Sequence, residues 1–217
     1  MPRSLRGKIS SALRQYSPGG YRGAAALCKA LGAPDNCPSL GLITTDSDDA
    51  TYIALDEATK AAAVQVCYSR SFYAGAANAS TPNAGEVIGI LAGATPGAVR
   101  SGMEAALSAL ERIGFDAAGE VPYLAHTVSR TGAFLSKEAG VPEGTALAYL
   151  IAPPLESMYA LDAAMKAADV KLQKLYAPPS ETNFGGGLLS GSQSACEAAC
   201  AAFARAVAEV AASPRGV

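Results

Sequence analysis

The stretch ALDEATKAAAV, Ala54–Val64, returns 106 residues later as ALDAAMKAADV, Ala160–Val170. Over thirteen positions from Ala54, eight are identical. Alanine matches count for little in a chain rich in alanine. The informative pairs are Leu55/Leu161, Asp56/Asp162, Lys60/Lys166 and Val64/Val170, all in one register. An internal repeat restricts a fold more than local propensity does, because each copy must build the same unit.

The flanks repeat as well. Upstream, SLGLITTD (Ser39–Asp46) stands beside ALAYLIAP (Ala146–Pro153), each a short apolar run that reads as a buried strand. Downstream, VQVCY (Val64–Tyr68) matches VKLQKLY (Val170–Tyr176), and GEVIGILAG (Gly85–Gly93) matches FGGGLLSG (Phe184–Gly191). Each copy closes in an Ala-rich helix. The first has Thr95 as N-cap and Pro96 at its first helical position, and the second starts near Ser192. A further strand and helix precede each copy: ISSALRQYSP then YRGAAALCKALG, and PYLAHTVSR then GAFLSKEAG. Each half therefore reads strand, helix, strand, helix, strand, loop, strand, helix, and the boundary falls near Phe115–Glu120. The expected domains are 1–115 and 116–217, each the size of a small α/β domain.

The halves differ mainly between their last two strands. The first spends SRSFYAGAANASTPNA there (Ser69–Ala84), the second only APPSETN (Ala177–Asn183). Small, turn-forming residues predict a mobile longer loop.

Composition removes several classes. Half the residues are apolar, yet no run approaches the length of a membrane span. The opening MPRSLRGKISSALRQY has four basic residues but no apolar core, so it reads as mature protein rather than a secretion signal. A net charge of −2 offers no footprint for nucleic acid. Five cysteines (Cys28, Cys37, Cys67, Cys196, Cys200) lack framework spacing and read as small buried hydrophobes in a reducing cytoplasm.

The residues that could carry chemistry form incomplete sets. GLITTDSDDAT places Asp46 and Asp48 at a strand end, as an aspartyl nucleophile and its acid/base partner would stand in a metal-dependent phosphatase. Ala50 occupies the place such enzymes give Thr or Val, and no downstream Lys and acid pair completes the set. The run lacks the Gly and closing Glu of a calcium loop. GGGLLSGSQS has neither phosphate-loop nor dinucleotide spacing, and reads as tight strand-to-helix packing capped by Ser192. Cys196 and Cys200 share a helix face with no His nearby. His126, the one histidine, lies mid-strand with no nucleophile elbow in the chain. The remaining carboxylates, Asp46, Asp48, Asp49 and Glu86, flank a loop. They could hold a small ammonium ligand or form a solvated acidic turn, and the sequence leaves both open.

A helix ALDxAxKAAxV followed by a strand, a loop and GxVxGxLxG resembles the bacterial microcompartment shell domain, and the duplication resembles its tandem form. The stretches SLGLITTDSDDATYIALDEATKAA, YAGAANAS, AGEVIGILAG, VSRTGAFLSKEAG, AYLIAPPLESMYALDAAMKAADV and PPSETNFGGGLLSGSQSACEAAC resemble the tandem shell proteins of ethanolamine-utilisation compartments, over Ser39 to Arg215. The resemblance implies an α/β (α+β) chain of two tandem, circularly permuted shell domains, each a small mixed or antiparallel sheet flanked by helices. It implies a non-catalytic, cofactor-free, metal-free tile in the shell of a cytoplasmic bacterial compartment, touching other shell proteins but no nucleic acid or membrane. Two domains per chain would close a pseudo-six-fold ring as a homotrimer. Further implications are a tile edge at Lys60 and Lys166, a gated central pore obstructed by Phe72, Tyr73 and Phe184, and a small pore binding ethanolamine through Asp48, Glu86 and Phe115.

Overall fold

The computed structural model describes residues 14–16, 22–45, 47–71, 87–178 and 184–214. The chain forms two compact units, divided between Ile113 and Gly114, with the short segment Gly132–Leu135 belonging to the first.

The first unit runs β1 (Arg14–Tyr16), α1 (Arg22–Ala30), β2 (Ser39–Thr45), α2 (Asp48–Ala61), β3 (Val64–Ser71), β4 (Val87–Gly93) and α3 (Pro96–Leu110). Its sheet has the order β1-β2-β4-β3 and every pairing is antiparallel. One side of this sheet takes α2 and α3. Leu55, Leu91, Met103 and Ala106 are fully buried between the layers, with Ile43 and Val99 almost so. Burying side chains as large as Leu or Met contributes about 1.5–3 kcal/mol each. Small residues permit the close approach: a Cβ on Gly89 would lie 2.7 Å from Leu55 Cδ1.

The second unit repeats the plan. It comprises β5 (Asp116–Ala118), β6 (Val121–Val128), most of α4 (Ala133–Ala139), β7 (Ala146–Ala152), α5 (Pro154–Ala167), β8 (Val170–Tyr176), β9 (Gly185–Gly191) and α6 (Gln193–Ala212). The antiparallel order β5-β6-β7-β9-β8 reproduces that of the first unit with one added strand. All seven residues of β7 are buried, as an uninterrupted apolar run between helix and sheet neighbours requires. Phe203 and Cys196 of α6 are fully buried against Leu150 and Leu161.

The duplication survives in fine geometry. The β3–β4 register slips between Val66 and Tyr68, and the β8–β9 register slips between Leu172 and Lys174, 106 residues on. Ala62 and Ala168, at the ends of α2 and α5, share extended dihedrals of −144°/158° and −148°/155°. The expected caps are present, with Thr95 Oγ1 accepting from Ala98 N and Ser192 Oγ from Ala195 N, both at 3.1 Å.

Two details differ from expectation. The strand read as ending at Tyr68 continues to Ser71, so part of the supposed loop is strand. The hairpin strand β5 was not anticipated. It turns into β6 through Gly119 at φ +64°, a left-handed conformation that suits glycine. The cysteines are thiols, four of them buried and Cys67 partly so.

Candidate functional site: a carboxylate pair, a ring pair and two lysines

α2 opens with Ser47 as N-cap, its hydroxyl accepting from Ala50 N at 3.3 Å. Thr45 and Thr51 brace the same turn through a 2.6 Å hydroxyl contact. Asp48 and Asp49 follow in the first turn, where the exposed amides of a helix favour negative charge. Neither is a solvated turn residue, since they are 8% and 7% exposed. Asp48 Oδ1 accepts from Asp49 N at 2.9 Å, and the Ser71 hydroxyl from the end of β3 also bonds its carboxylate. Burial pushes the Asp48 carboxyl above its ordinary range, against those two hydrogen bonds.

Tyr52 stands one turn further along α2. Its phenol is raised by burial, opposed by the Ser71 hydroxyl and reinforced by the charges of Asp48 and Asp49. Ser69, also on β3, brings a second hydroxyl to the Tyr52 phenol and likewise draws it down. The start of α2 and the end of β3 therefore assemble an oxygen-rich patch. Asp48 is held by an amide and a hydroxyl, neither of which carries positive charge. Such a patch suits a small cation that also offers hydrogen-bond donors. Tyr52, Ser69 and Ser71 were invisible as site residues in the sequence; only the extension of β3 past Tyr68 brings them there.

Other expected residues lie elsewhere. Asp46, Phe72, Tyr73 and Glu86 fall outside the described residues, as do 179–183 of the shorter loop. Phe115 and Phe184, both partly buried, pack together with centroids 5.8 Å apart and planes at 54°. A tilted pair of this kind adds about 0.5–1.5 kcal/mol beyond its buried area. One ring was expected in the small pore and the other at the central pore, yet they make one contact.

The two lysines are not equivalent. Lys60 has a side chain 16% exposed, bonded to Glu57 and 3.6 Å from Asp56 Oδ2. Lys166 is 75% exposed and pairs with Asp162 at 2.6 Å. The difference traces to Asp56, which is fully buried and accepts from Gly132 N and Leu135 N, both at 2.8 Å. Thr59 Oγ1 accepts from Ala133 N at 3.1 Å. Gly132 is obligatory, because a Cβ there would lie 2.3 Å from Thr59 Oγ1 and 2.8 Å from Asp56 O. Burial raises the Asp56 carboxyl, while the two amides and Lys60 draw it down. This junction was not foreseen; its only trace in the sequence is an Asp retained in both copies.

Among the described residues no group of three or more His, Cys, Asp or Glu is placed to hold a metal ion, and no helix is long and apolar enough to cross a membrane.

Residues 39–122 match the BMC domain family. The chain is 62% identical, over 88% of its length and 89% of the relative's, to the bacterial microcompartment shell protein EutL of Clostridium perfringens (strain 13 / Type A). It belongs to the bacterial microcompartment shell proteins. It is also 51% identical, over 88% of its length and 89% of the relative's, to the shell protein EutL of Escherichia coli (strain K12). The crystal structure of the ethanolamine utilization protein EutL from Leptotrichia buccalis C-1013-b superposes with a TM-score of 0.90 at 55% identity, covering 97% of this chain and 99% of that one. A shell protein is a structural component of a compartment wall, so this chain is not an enzyme and the phosphatase reading of Asp46 and Asp48 falls away. The tandem antiparallel units are the fold of that family, and the place of the chain is the microcompartment shell.

Proposed function

We propose that this shell protein serves an ethanolamine-utilisation microcompartment as a homotrimeric tile of two shell domains per chain, 1–115 and 116–217. The tile carries a gated central pore and small pores that bind ethanolamine. The observation that carries the ligand reading is Asp48. Its carboxylate is buried beside Asp49, and the Ser71 hydroxyl of β3 bonds it, with the Tyr52 phenol on the same patch. An ammonium group neutralises the carboxylate, and the hydroxyl of the same small molecule can hydrogen-bond the neighbouring hydroxyls.

Glu86 supplies the second carboxylate, and Phe115, packed on Phe184, supplies an apolar wall. Phe72 and Tyr73 obstruct the central pore from the longer loop, and Phe184 from the shorter. Ethanolamine changes the gate only to the extent that it binds one loop state more tightly than the other. Lys60 and Lys166 lie at the tile edge and meet other shell proteins.

Titration calorimetry tests the site. Ethanolamine should bind the native protein and lose measurable heat in Asp48→Ala and Glu86→Ala. Unchanged binding in both variants removes the small-pore assignment. Solution mass tests the tile: three chains of 21.8 kDa give about 65 kDa, and a single-chain mass contradicts it.

A further inference from the structure

The repeat allows the oxygen-rich patch of the first unit to be compared with the same positions in the second. Moving 106 residues along, Asp48, Asp49 and Tyr52 of α2 become Pro154, Leu155 and Met158 of α5. Ser69 and Ser71 of β3 become Leu175 and Ala177. All five side chains carry oxygen, and all five counterparts are apolar. The backbone beneath is unchanged, since both strands keep the same register slip. A hydroxyl that serves the scaffold also persists: Thr51 bonds the Ser47 carbonyl at 2.7 Å, and its counterpart Ser157 bonds the Pro154 carbonyl at 2.9 Å. The two carboxylates and three hydroxyls are therefore present or absent as one set.

Their hydrogens are ordered. An ionised carboxylate only accepts. Asp48 takes the Asp49 N–H at 2.9 Å and the single hydrogen of the Ser71 hydroxyl. Ser71 also bonds the Tyr52 phenol, and with its hydrogen spent it can only accept there. The phenol hydrogen goes to Ser71 Oγ, so the Ser69 hydroxyl, the other partner of Tyr52, donates to the phenol in turn. The order runs Ser69, Tyr52, Ser71, Asp48, with every hydrogen directed toward the carboxylate, and bonds in such a chain strengthen one another. Phe134 holds the Tyr52 ring in place, with centroids 6.0 Å apart and planes at 53°. What this wall leaves for a ligand is lone pairs.

We propose that Tyr52 and Ser71 are specificity-determining residues of the ligand site: their hydroxyls meet a ligand only as acceptors, so the site selects a small ammonium compound whose far end also has an O–H to give. An amine ending in a methyl group leaves those lone pairs unmatched, and one ending in an acceptor atom sets lone pair against lone pair. The proposal rests on the ethanolamine reading above and adds to it the direction of the bond and the residues that impose it. Asp48 supplies attraction for any small ammonium ion, and the hydroxyl wall supplies the choice among them.

Titration calorimetry of the full chain with three amines of similar size tests this. They are ethanolamine, n-propylamine, in which a methyl replaces the hydroxyl, and 2-fluoroethylamine, in which an acceptor replaces it. The native protein should prefer ethanolamine to either analogue by about tenfold or more. Tyr52→Phe keeps a ring against Phe134 and should cut both preferences to under about threefold. Ser71→Ala releases the phenol hydrogen, so 2-fluoroethylamine should gain on ethanolamine, while Ser71→Thr, which keeps a hydroxyl, restores the native order. A purely structural role would weaken all three amines alike and leave their ratios standing. If the native protein holds either analogue as tightly as ethanolamine, or if the ratios keep their native values in Tyr52→Phe or in Ser71→Ala, the specificity assignment is overturned while the ethanolamine site stands. If ethanolamine gives no binding heat with the native protein, the site and the assignment both fall.

Discussion

The Asp56 carboxylate accepts the Gly132 backbone N–H at 2.8 Å, although 76 residues separate them in the chain. Through that bond and its neighbour from Leu135, a segment belonging to the second repeat is built into the first unit.

Removing the acceptor should be costly. Asp56→Ala leaves two buried amides unsatisfied and takes a carboxylate from Lys60. The expected loss is about 3–5 kcal/mol, measured by urea unfolding. The equivalent Asp162→Ala, which removes an exposed carboxylate from Lys166, should cost the isolated chain under about 1 kcal/mol.

Gly132→Ala attacks the same junction from the other side. The added methyl meets Thr59 Oγ1 and the Asp56 carbonyl well inside contact distance, so a loss of about 1–3 kcal/mol is expected. Thermal unfolding checks it, and the double variant with Thr59→Ser, whose hydroxyl keeps the crowding oxygen, should recover little.

Asp48 should trade stability for ligand. Burial lifts its carboxyl above the ordinary 3.8, so the folded chain takes up a proton more readily than the unfolded one. Its contribution is full below 3.8 and is lost as pH climbs through the raised folded value. Asp48→Asn should therefore raise stability at pH 7 by about 0.5–2 kcal/mol, with the difference shrinking in acid. Melting curves at both pH values decide this, and ethanolamine heat should be absent from the variant.

The thiols should be slow. Desolvation holds Cys67 and Cys200 up at about 11, so little thiolate exists near neutral pH. Iodoacetamide at pH 8 should label Cys67 and Cys200 of the native chain at a small fraction of their rate in denaturant, read by peptide mass spectrometry.

What the sequence disclosed was what depends on neighbours along the chain. Thr95 and Ser192 announced their helices because a cap acts within one turn, and the paired apolar runs announced β2 and β7 because burial on both faces leaves a continuous signature. The repeat then carried the family. Strand β5 stayed hidden because Asp-Ala-Ala has no intrinsic preference for extended structure and gains it only by pairing with β6. Ser69 and Ser71 stayed hidden because a small hydroxyl says nothing until its surroundings are known. Asp56 was visible as a conserved letter of the repeat but not as a clasp, since its partners lie 76 and 79 residues away.

Asp56 and Asp162 began as the same letter, and the fused chain now keeps them at two addresses. A protein built from six identical domains must accept every change six times over, once at each corner of its ring. Here a change at the clasp leaves its twin untouched, so the buried junction and the exposed ion pair can be altered by separate single substitutions.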